Sequence, residues 1–169
     1  IHERLVGSEM CIRDSLAIVN MEQFNIDKFE SCILAKEQLM YVVSKKHPMA
    51  KKKCMTIEDF RDENLLMFNV DSVQNELLKN RFDQLKLNPR IIMRSSQLYT
   101  ALKFIDNGSC GCFLFSDMLP HFKQYKGIPL EPPIDVNIGI VWKKGNFLSH
   151  SAQLFIDFAM QYCSENITT

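Results

Sequence analysis

Two short polar segments carry residue types that could hold a small ligand. One reads Asn69-Val-Asp71-Ser72, and the other reads Ser95-Ser96-Gln97 with Thr100 one helical turn later. Each stands between a predicted strand and a predicted helix, so its hydroxyl, amide or carboxylate side chains accompany the free N–H groups of a helix start. Because the positive end of the helix dipole also lies there, the segments are suited to a carboxylate or another small anion.

The same residues also have a purely structural interpretation. Asp and Ser are preferred at the N-cap of a helix, where the side-chain oxygen accepts a hydrogen bond from the first turn. A turn can cap a helix and bind a ligand at once, so the sequence leaves both interpretations open. The residues concerned are Asp71, Ser72, Ser95 and Ser96.

Catalytic and metal chemistry find little support in the sequence. The four histidines show no i, i+4 pairing with another ligand type, and Cys110-x-Cys112 lacks the two-residue gap of common metal pairs. Asp106, Asp117 and Glu131 are of the kind found at surfaces and caps. We therefore expect no catalytic residue, no metal and no cofactor.

Charge and cysteine content narrow the class of protein further. The chain carries 20 Lys and Arg against 20 Asp and Glu, so it has no overall basic field with which to bind DNA by itself. No apolar run approaches the length of a membrane span. One of the six cysteines is Cys11, and the remaining odd number, without disulfide framework spacing, indicates reduced thiols and a cytoplasmic location.

The first fifteen residues need a separate explanation. The stretch LVGSEMCIRDS, from Leu5 to Ser15, matches one reading frame of a transposase sequencing adapter and has no secretory core. We interpret 1–15 as a leader foreign to the gene rather than as an ordinary disordered tail. Under this interpretation the native sequence begins near Leu16, and whatever precedes it in the gene is absent from this chain.

Beyond the leader, strand patterns alternate with helix patterns. Apolar and β-branched runs predict the strands, and capping residues followed by apolar residues on one face predict the helices. This order indicates an α/β fold with a mainly parallel sheet. The predicted strands are 16–19, 34–44, 64–68, 89–95, 112–115, 128–130 and 136–143; the predicted helices are 73–85, 97–107 and one capped by Ser149, with short helices after Thr56 and over 117–124.

Several local motifs, in this order, resemble the effector-binding domain of LysR-type transcriptional regulators. Leu16-Ala-Ile resembles the end of the family's D-L-A-I strand, and Leu34 to Ala50 resembles its crossover strand and H-P-L-A turn. Ile57-Glu-Asp-Phe60 resembles the helix that follows, and Gly139 to Phe155 resembles the last strand and the C-terminal helix. Ser109 to Ser116 departs from the family's G-x-G-I-x-x-L-P pattern, since it retains only the second glycine and lacks the proline.

The resemblance implies a periplasmic-binding-protein-like (type 2) α/β fold with two lobes and a mainly parallel sheet flanked by helices. The domain would occupy 16–164 and be partial, because lobe one is incomplete. Lobe one and the crossover strands would comprise 16–43 and 140–164, and lobe two would comprise 44–139.

The function implied is that of a ligand-sensing domain in a cytoplasmic bacterial transcription regulator. A small polar or anionic metabolite would bind between the lobes and control DNA binding by a helix-turn-helix domain outside this chain. The intact protein would be a homo-oligomer, a dimer or a tetramer, with no membrane contact. The ligand-binding residues would be those of the two polar segments, namely Asn69, Asp71, Ser72, Ser95, Ser96, Gln97 and Thr100.

Two other functions fit the same fold. The main alternative is a solute-binding protein of a transport system, and a more distant one is a small dehydratase. The unpaired cysteines favour the regulator, because an exported protein resides in an oxidising compartment.

Overall fold

The computed structural model describes residues 16–21, 27, 29–70, 72–145 and 147–166, apart from the side chains of Cys163 and Asn166. The predicted leader over 1–15 and the predicted ligand-binding residue Asp71 lie outside the described residues.

Strands and helices alternate along the described chain, as the sequence predicts. The strands are β1 (Ala17–Asn20), β2 (Phe29–Ser44), β3 (Asn64–Phe68), β4 (Arg90–Ser95), β5 (Gly111–Phe115), β6 (Tyr125–Pro129) and β7 (Asp135–Lys143). The α-helices are α1 (Val73–Gln84), α2 (Leu98–Ile105) and α3 (His150–Asn166), and single 3-10 segments cover Pro48–Lys51, Ile57–Phe60 and Ser116–His121.

The chain separates into two compact units. One consists of 38–135, and the other consists of 1–37 together with 136–169. The long strands β2 and β7 contribute residues to both. Their interpretation as lobe two and an incomplete lobe one stays a prediction.

In the unit 38–135, a mixed sheet has the order β2, β5, β3, β4, with β6 on the other side of β2. β3 pairs parallel with β4, and it pairs parallel with β5 at Leu65 and Gly111. β2 pairs antiparallel with both β5 and β6. Parallel pairing makes β3 and β4 end at the same edge, which is the edge that carries the two polar segments.

Helices cover both faces of this sheet. On one face, Leu78 and Phe82 of α1 pack against a buried aromatic group that includes Tyr41, Phe60 and Phe113. On the other face, α2 buries Ala101, Leu102 and Ile105, three of the four apolar residues that its helical period predicts on one side, and the fourth, Leu98, is partly buried. Gly108 follows α2 with φ of +76°, a left-handed conformation that glycine adopts readily after a helix.

The short predicted helix after Thr56 is a single 3-10 turn. The backbone N–H of Thr56 donates to the Asp59 carboxylate at 3.0 Å, which is one half of the predicted capping box.

In the unit formed by 1–37 and 136–169, β1 pairs antiparallel with β7, with Ala17 opposite Val141. The Ser149 hydroxyl accepts a hydrogen bond from the Ala152 N–H at 3.2 Å, so the predicted cap of α3 is confirmed. The apolar face that the helical period predicts for α3, formed by Ala152, Phe155, Phe158, Ala159 and Tyr162, is partly wrong. Phe158 and Tyr162 are 63% and 55% exposed, whereas Ala152 and Ile156 are buried. α3 has apolar residues on more than one side, so periodicity alone does not show which side is covered.

Candidate functional site

The two polar segments lie side by side at the carboxyl ends of β3 and β4. Phe68 is opposite Ser95 in the parallel register, so the next residues, Asn69 and Ser96, leave the sheet as neighbours. Adjacent strands are about 4.8 Å apart. Both residues are exposed, and within the described part of the chain neither side chain has a partner. This edge therefore presents two neighbouring polar side chains that have no hydrogen-bond partner among the described residues.

Ser72 caps α1, as one interpretation of the sequence predicts. Its hydroxyl oxygen accepts a hydrogen bond from the Asn75 N–H at 3.3 Å, and its own N–H donates to the Asn69 carbonyl at 2.9 Å. The hydroxyl keeps its proton as a donor. Capping therefore leaves Ser72 able to donate to a ligand.

The second segment is arranged differently, because Ser95 and Ser96 do not cap α2. β4 extends through Ser95, and the N-cap residue is Gln97, whose side chain makes no cap hydrogen bond. The Ser95 hydroxyl instead accepts from the Gln97 N–H at 3.1 Å and lies 3.2 Å from the Gln97 carbonyl, to which it donates. The Thr100 hydroxyl donates to Gln97 Oε1 at 3.0 Å. Gln97 thus connects the end of β4 to the first turn of α2.

Thr100 also borders a shallow surface depression of about 450 Å³. The other lining residues are Tyr99, Lys103 and Phe104 on the outer side of α2.

Two further residues, which the sequence pattern does not predict, contribute to this edge. Arg94 Nη1 donates to Asn75 Oδ1 at 2.9 Å and to the Phe68 carbonyl at 3.2 Å. Asn75 is 6% exposed, and its Nδ2 donates to the Val70 carbonyl at 3.0 Å. Together they bring a guanidinium to the start of α1. The only sequence signal was an arginine directly before the second polar segment.

A separate polar cluster, which no local sequence pattern predicts, is buried in the core of the unit 38–135. Glu63 Oε1 accepts from the Tyr41 hydroxyl at 3.1 Å and lies 3.0 Å from His47 Nε2. His47 Nδ1 accepts from the Met49 N–H at 3.2 Å, which places the imidazole proton on Nε2 as a donor to Glu63. Burial, reinforced by the neighbouring carboxylate, raises the pKa of Tyr41 far above its ordinary value. These three side chains are 0 to 8% exposed.

The remaining residues with metal-binding or nucleophilic side chains are dispersed. The described ranges contain no group of three or more His, Cys, Asp and Glu side chains placed to hold a metal ion. Cys32, Cys54, Cys110 and Cys112 form no disulfide among the described residues, and burial raises the pKa of Cys112 to about 12. No α-helix of the described chain combines the length and apolarity needed to cross a membrane.

Comparison with known proteins gives the family. The sequence model of the LysR substrate binding domain matches residues 14–164. The chain belongs to this family. It is 27% identical over 142 residues to the "Uncharacterized HTH-type transcriptional regulator YwbI" of Bacillus subtilis (strain 168), a match that covers 82% of the chain and 47% of YwbI. The chain therefore spans about half the length of this curated relative.

Solved LysR-family structures share the fold. The CcmR regulatory domain of Synechocystis PCC6803, solved in complex with 2-PG, aligns with a TM-score of 0.80 at 20% identity, over 91% of this chain and 76% of that one. The effector binding domain of QuiR, solved in complex with shikimate, aligns with a TM-score of 0.73 at 23% identity, over 90% of this chain and 73% of that one.

These matches confirm the resemblance predicted from the local motifs. The fold is the type 2 periplasmic-binding-protein-like α/β fold of LysR regulatory domains, and the chain is a LysR-type effector-binding domain. The transport alternative is not favoured, because the curated relative is a transcriptional regulator.

Proposed function

We propose that the intact protein is a cytoplasmic transcription regulator whose effector-binding domain, described above, controls DNA binding by a helix-turn-helix domain outside this chain. The family match and the regulator YwbI, which is about twice as long as the matched region, support this proposal. The regulator acts as a homo-oligomer, a dimer or a tetramer, whose arrangement on DNA shifts when the effector binds one state more tightly than another.

The proposed effector is a small polar or anionic metabolite, and lobe two, over 44–139, supplies the two polar segments that contact it. The observation that carries this proposal is the register of β3 with β4, because it brings Asn69 and Ser96 together at one edge. Asp71, Ser72, Ser95, Gln97 and Thr100 complete the proposed set. Two fold neighbours were solved with small molecules, 2-PG in CcmR and shikimate in QuiR, which supports a small-molecule effector here.

The ligand site is tested by Ser72→Ala and Ser96→Ala. A thermal-shift screen of the 169-residue chain, starting with shikimate and 2-PG, selects a ligand for calorimetry. Loss of one hydrogen bond to a charged ligand weakens binding by about ten- to a hundredfold, and we expect that loss in each variant.

Ser151→Ala is the matched control, because Ser151 is exposed on α3 in the other unit, and its affinity should equal that of the wild type. Unchanged affinity in both Ser72→Ala and Ser96→Ala would remove the two segments from the ligand site. Ser72→Ala also loses a helix cap, so affinity is measured at a temperature where each variant is folded.

The regulator and the transport protein are distinguished by the gene. We expect the gene to encode a helix-turn-helix and a long helix N-terminal to the effector-binding domain. A signal peptide there would support the transport protein instead.

A further inference from the structure

One guanidinium at the carboxyl edge of the sheet is held in place without an ion-pair partner among the described residues. Arg94 uses a single nitrogen, Nη1, for both of its hydrogen bonds, to Asn75 Oδ1 and to the Phe68 carbonyl. The ion pairs among the described residues are Lys52–Asp59 and Lys103–Asp106, and neither involves Arg94. An arginine side chain has five N–H donors, and those on Nε and Nη2 have no acceptor among the described residues.

A buried residue holds this guanidinium. Asn75 is 6% exposed, and its amide is oriented by the bond from Nδ2 to the Val70 carbonyl. Its backbone N–H is bound in turn by the Ser72 hydroxyl. Because these contacts fix the oxygen that Arg94 binds, the guanidinium is positioned before any ligand arrives. Preorganisation of this kind lowers the entropy lost on binding.

The unoccupied side of the guanidinium has a specific chemistry. Nε–H and Nη2–H point in the same direction and match the two oxygens of a carboxylate or of a phosphate, which arginine binds bidentately. The same edge carries Asn69 and Ser96, whose side chains are exposed and without a partner among the described residues. A polar ligand with one anionic group would satisfy all three side chains together.

We infer that Arg94 is the specificity-determining residue of the proposed effector site, and that it selects an effector carrying a carboxylate or a phosphate group. This inference rests on the proposed function and adds the residue that distinguishes an anionic effector from a neutral one. A neutral ligand of the same shape would leave the guanidinium without a counter-charge.

Arg90 provides a matched control within the same strand. It lies four residues before Arg94 in β4, at most about 13 Å away at the rise of an extended strand, and a register shift between the two puts it on the opposite face of the sheet. It is exposed, and within the described chain its side chain has no partner. Arg90 therefore has the charge of Arg94 without the anchoring contacts and without the polar edge.

The test is an NMR titration of the ¹⁵N-labelled 169-residue chain with inorganic phosphate, shikimate and methyl shikimate. We expect phosphate or shikimate to shift the Arg94 Nε–H resonance, the neutral ester to leave it unmoved, and Arg90 to respond only weakly. Arg94→Gln should weaken anion binding by about ten- to a hundredfold, Arg94→Lys by less, and Arg90→Gln not at all. A response to only one of the two anions identifies the group as phosphate or as carboxylate.

The outcomes separate this inference from the proposed function. It is overturned if neither anion moves the Arg94 resonance, or if shikimate moves it and methyl shikimate binds as tightly as shikimate. Shifts at Asn69, Ser96 and the first turn of α1 without one at Arg94 would leave the proposed site standing and remove Arg94 from it. If no probe shifts either polar segment, the proposed site fails together with the inference. Because the resonance is read in the wild-type chain, misfolding of a variant does not affect this result.

Discussion

Two polar clusters in the unit 38–135 use similar side chains in opposite ways. In the closed cluster, Tyr41, Glu63 and His47 are buried and bind one another. In the open cluster, Asn75 is buried, but the guanidinium that it holds, Arg94, is exposed, and its Nε and Nη2 donors have no acceptor in the part of the chain that the structure describes. The comparison teaches that a polar group whose partners all lie inside the protein has a structural role. A polar group with donors left over at the surface is available to bind a ligand.

The two clusters should also differ in what they contribute to stability. Removing one member of a buried network leaves its partners desolvated and without hydrogen bonds, which costs far more than the bond itself contributes. At the open edge, water replaces a lost partner, so the cost is small. Stability should therefore depend on the closed cluster, and ligand binding should depend on the open one.

The largest effect is expected for Glu63→Ala. This change leaves the Tyr41 hydroxyl and His47 Nε2–H in the core without an acceptor. It should lower the free energy of unfolding by about 3–5 kcal/mol, measured by urea denaturation. Glu63→Gln keeps an acceptor and should cost less. Glu58→Gln, at an exposed position, should stay within about 0.5 kcal/mol of the wild type. A Glu63→Ala protein as stable as the Glu58→Gln control would show that the closed cluster is not structural.

An intermediate effect is expected for Asn75→Ala, since Asn75 belongs to both the fold and the open edge. Loss of its buried hydrogen bonds should lower the free energy of unfolding by about 1–3 kcal/mol. The same change should weaken the response of Arg94 to phosphate, because the guanidinium is no longer held. Asn80→Ala is the control on the same helix, where the exposed side chain has no partner among the described residues. If Asn75→Ala and Asn80→Ala behave alike in both measurements, Asn75 contributes neither to stability nor to the positioning of Arg94.

The smallest effect concerns the pH dependence of the closed cluster. Burial and Glu63 raise the pKa of Tyr41 in the folded state above the value of about 10 for an unfolded chain. The stability from keeping this hydroxyl protonated is therefore complete below about pH 10 and is lost as pH rises further, by at most about 1.4 kcal/mol per pH unit. In Tyr41→Phe, stability should fall less steeply between about pH 10 and 11 than in the wild type. Equal slopes would mean that the Tyr41 hydroxyl does not resist ionisation.

Local sequence patterns were sufficient to predict most of the helices and strands. Ser72 and Pro89 bracket α1 in the sequence, and Gly108 marks the end of α2, because capping and chain-breaking residues act within one turn of where they stand. The outer face of α3 was predicted less well. Its aromatic residues, such as Phe158, share the helix with a narrower buried row at Ala152 and Ile156, and only the packing shows which row is covered.

The candidate site, too, could be predicted only in part from local sequence patterns. By itself the sequence determined that Asn69 to Ser72 and Ser95 to Gln97 are polar turns at strand-to-helix junctions, since strand period, cap and helix period are all local. Tertiary structure alone decided that these turns are neighbours, through the pairing of β3 with β4. It also decided the pairing of Arg94 with Asn75, 19 residues apart, and of Tyr41 with Glu63, 22 residues apart. Hydrogen bonds over such separations depend on where the sheet and helices place the backbone, which no local pattern encodes.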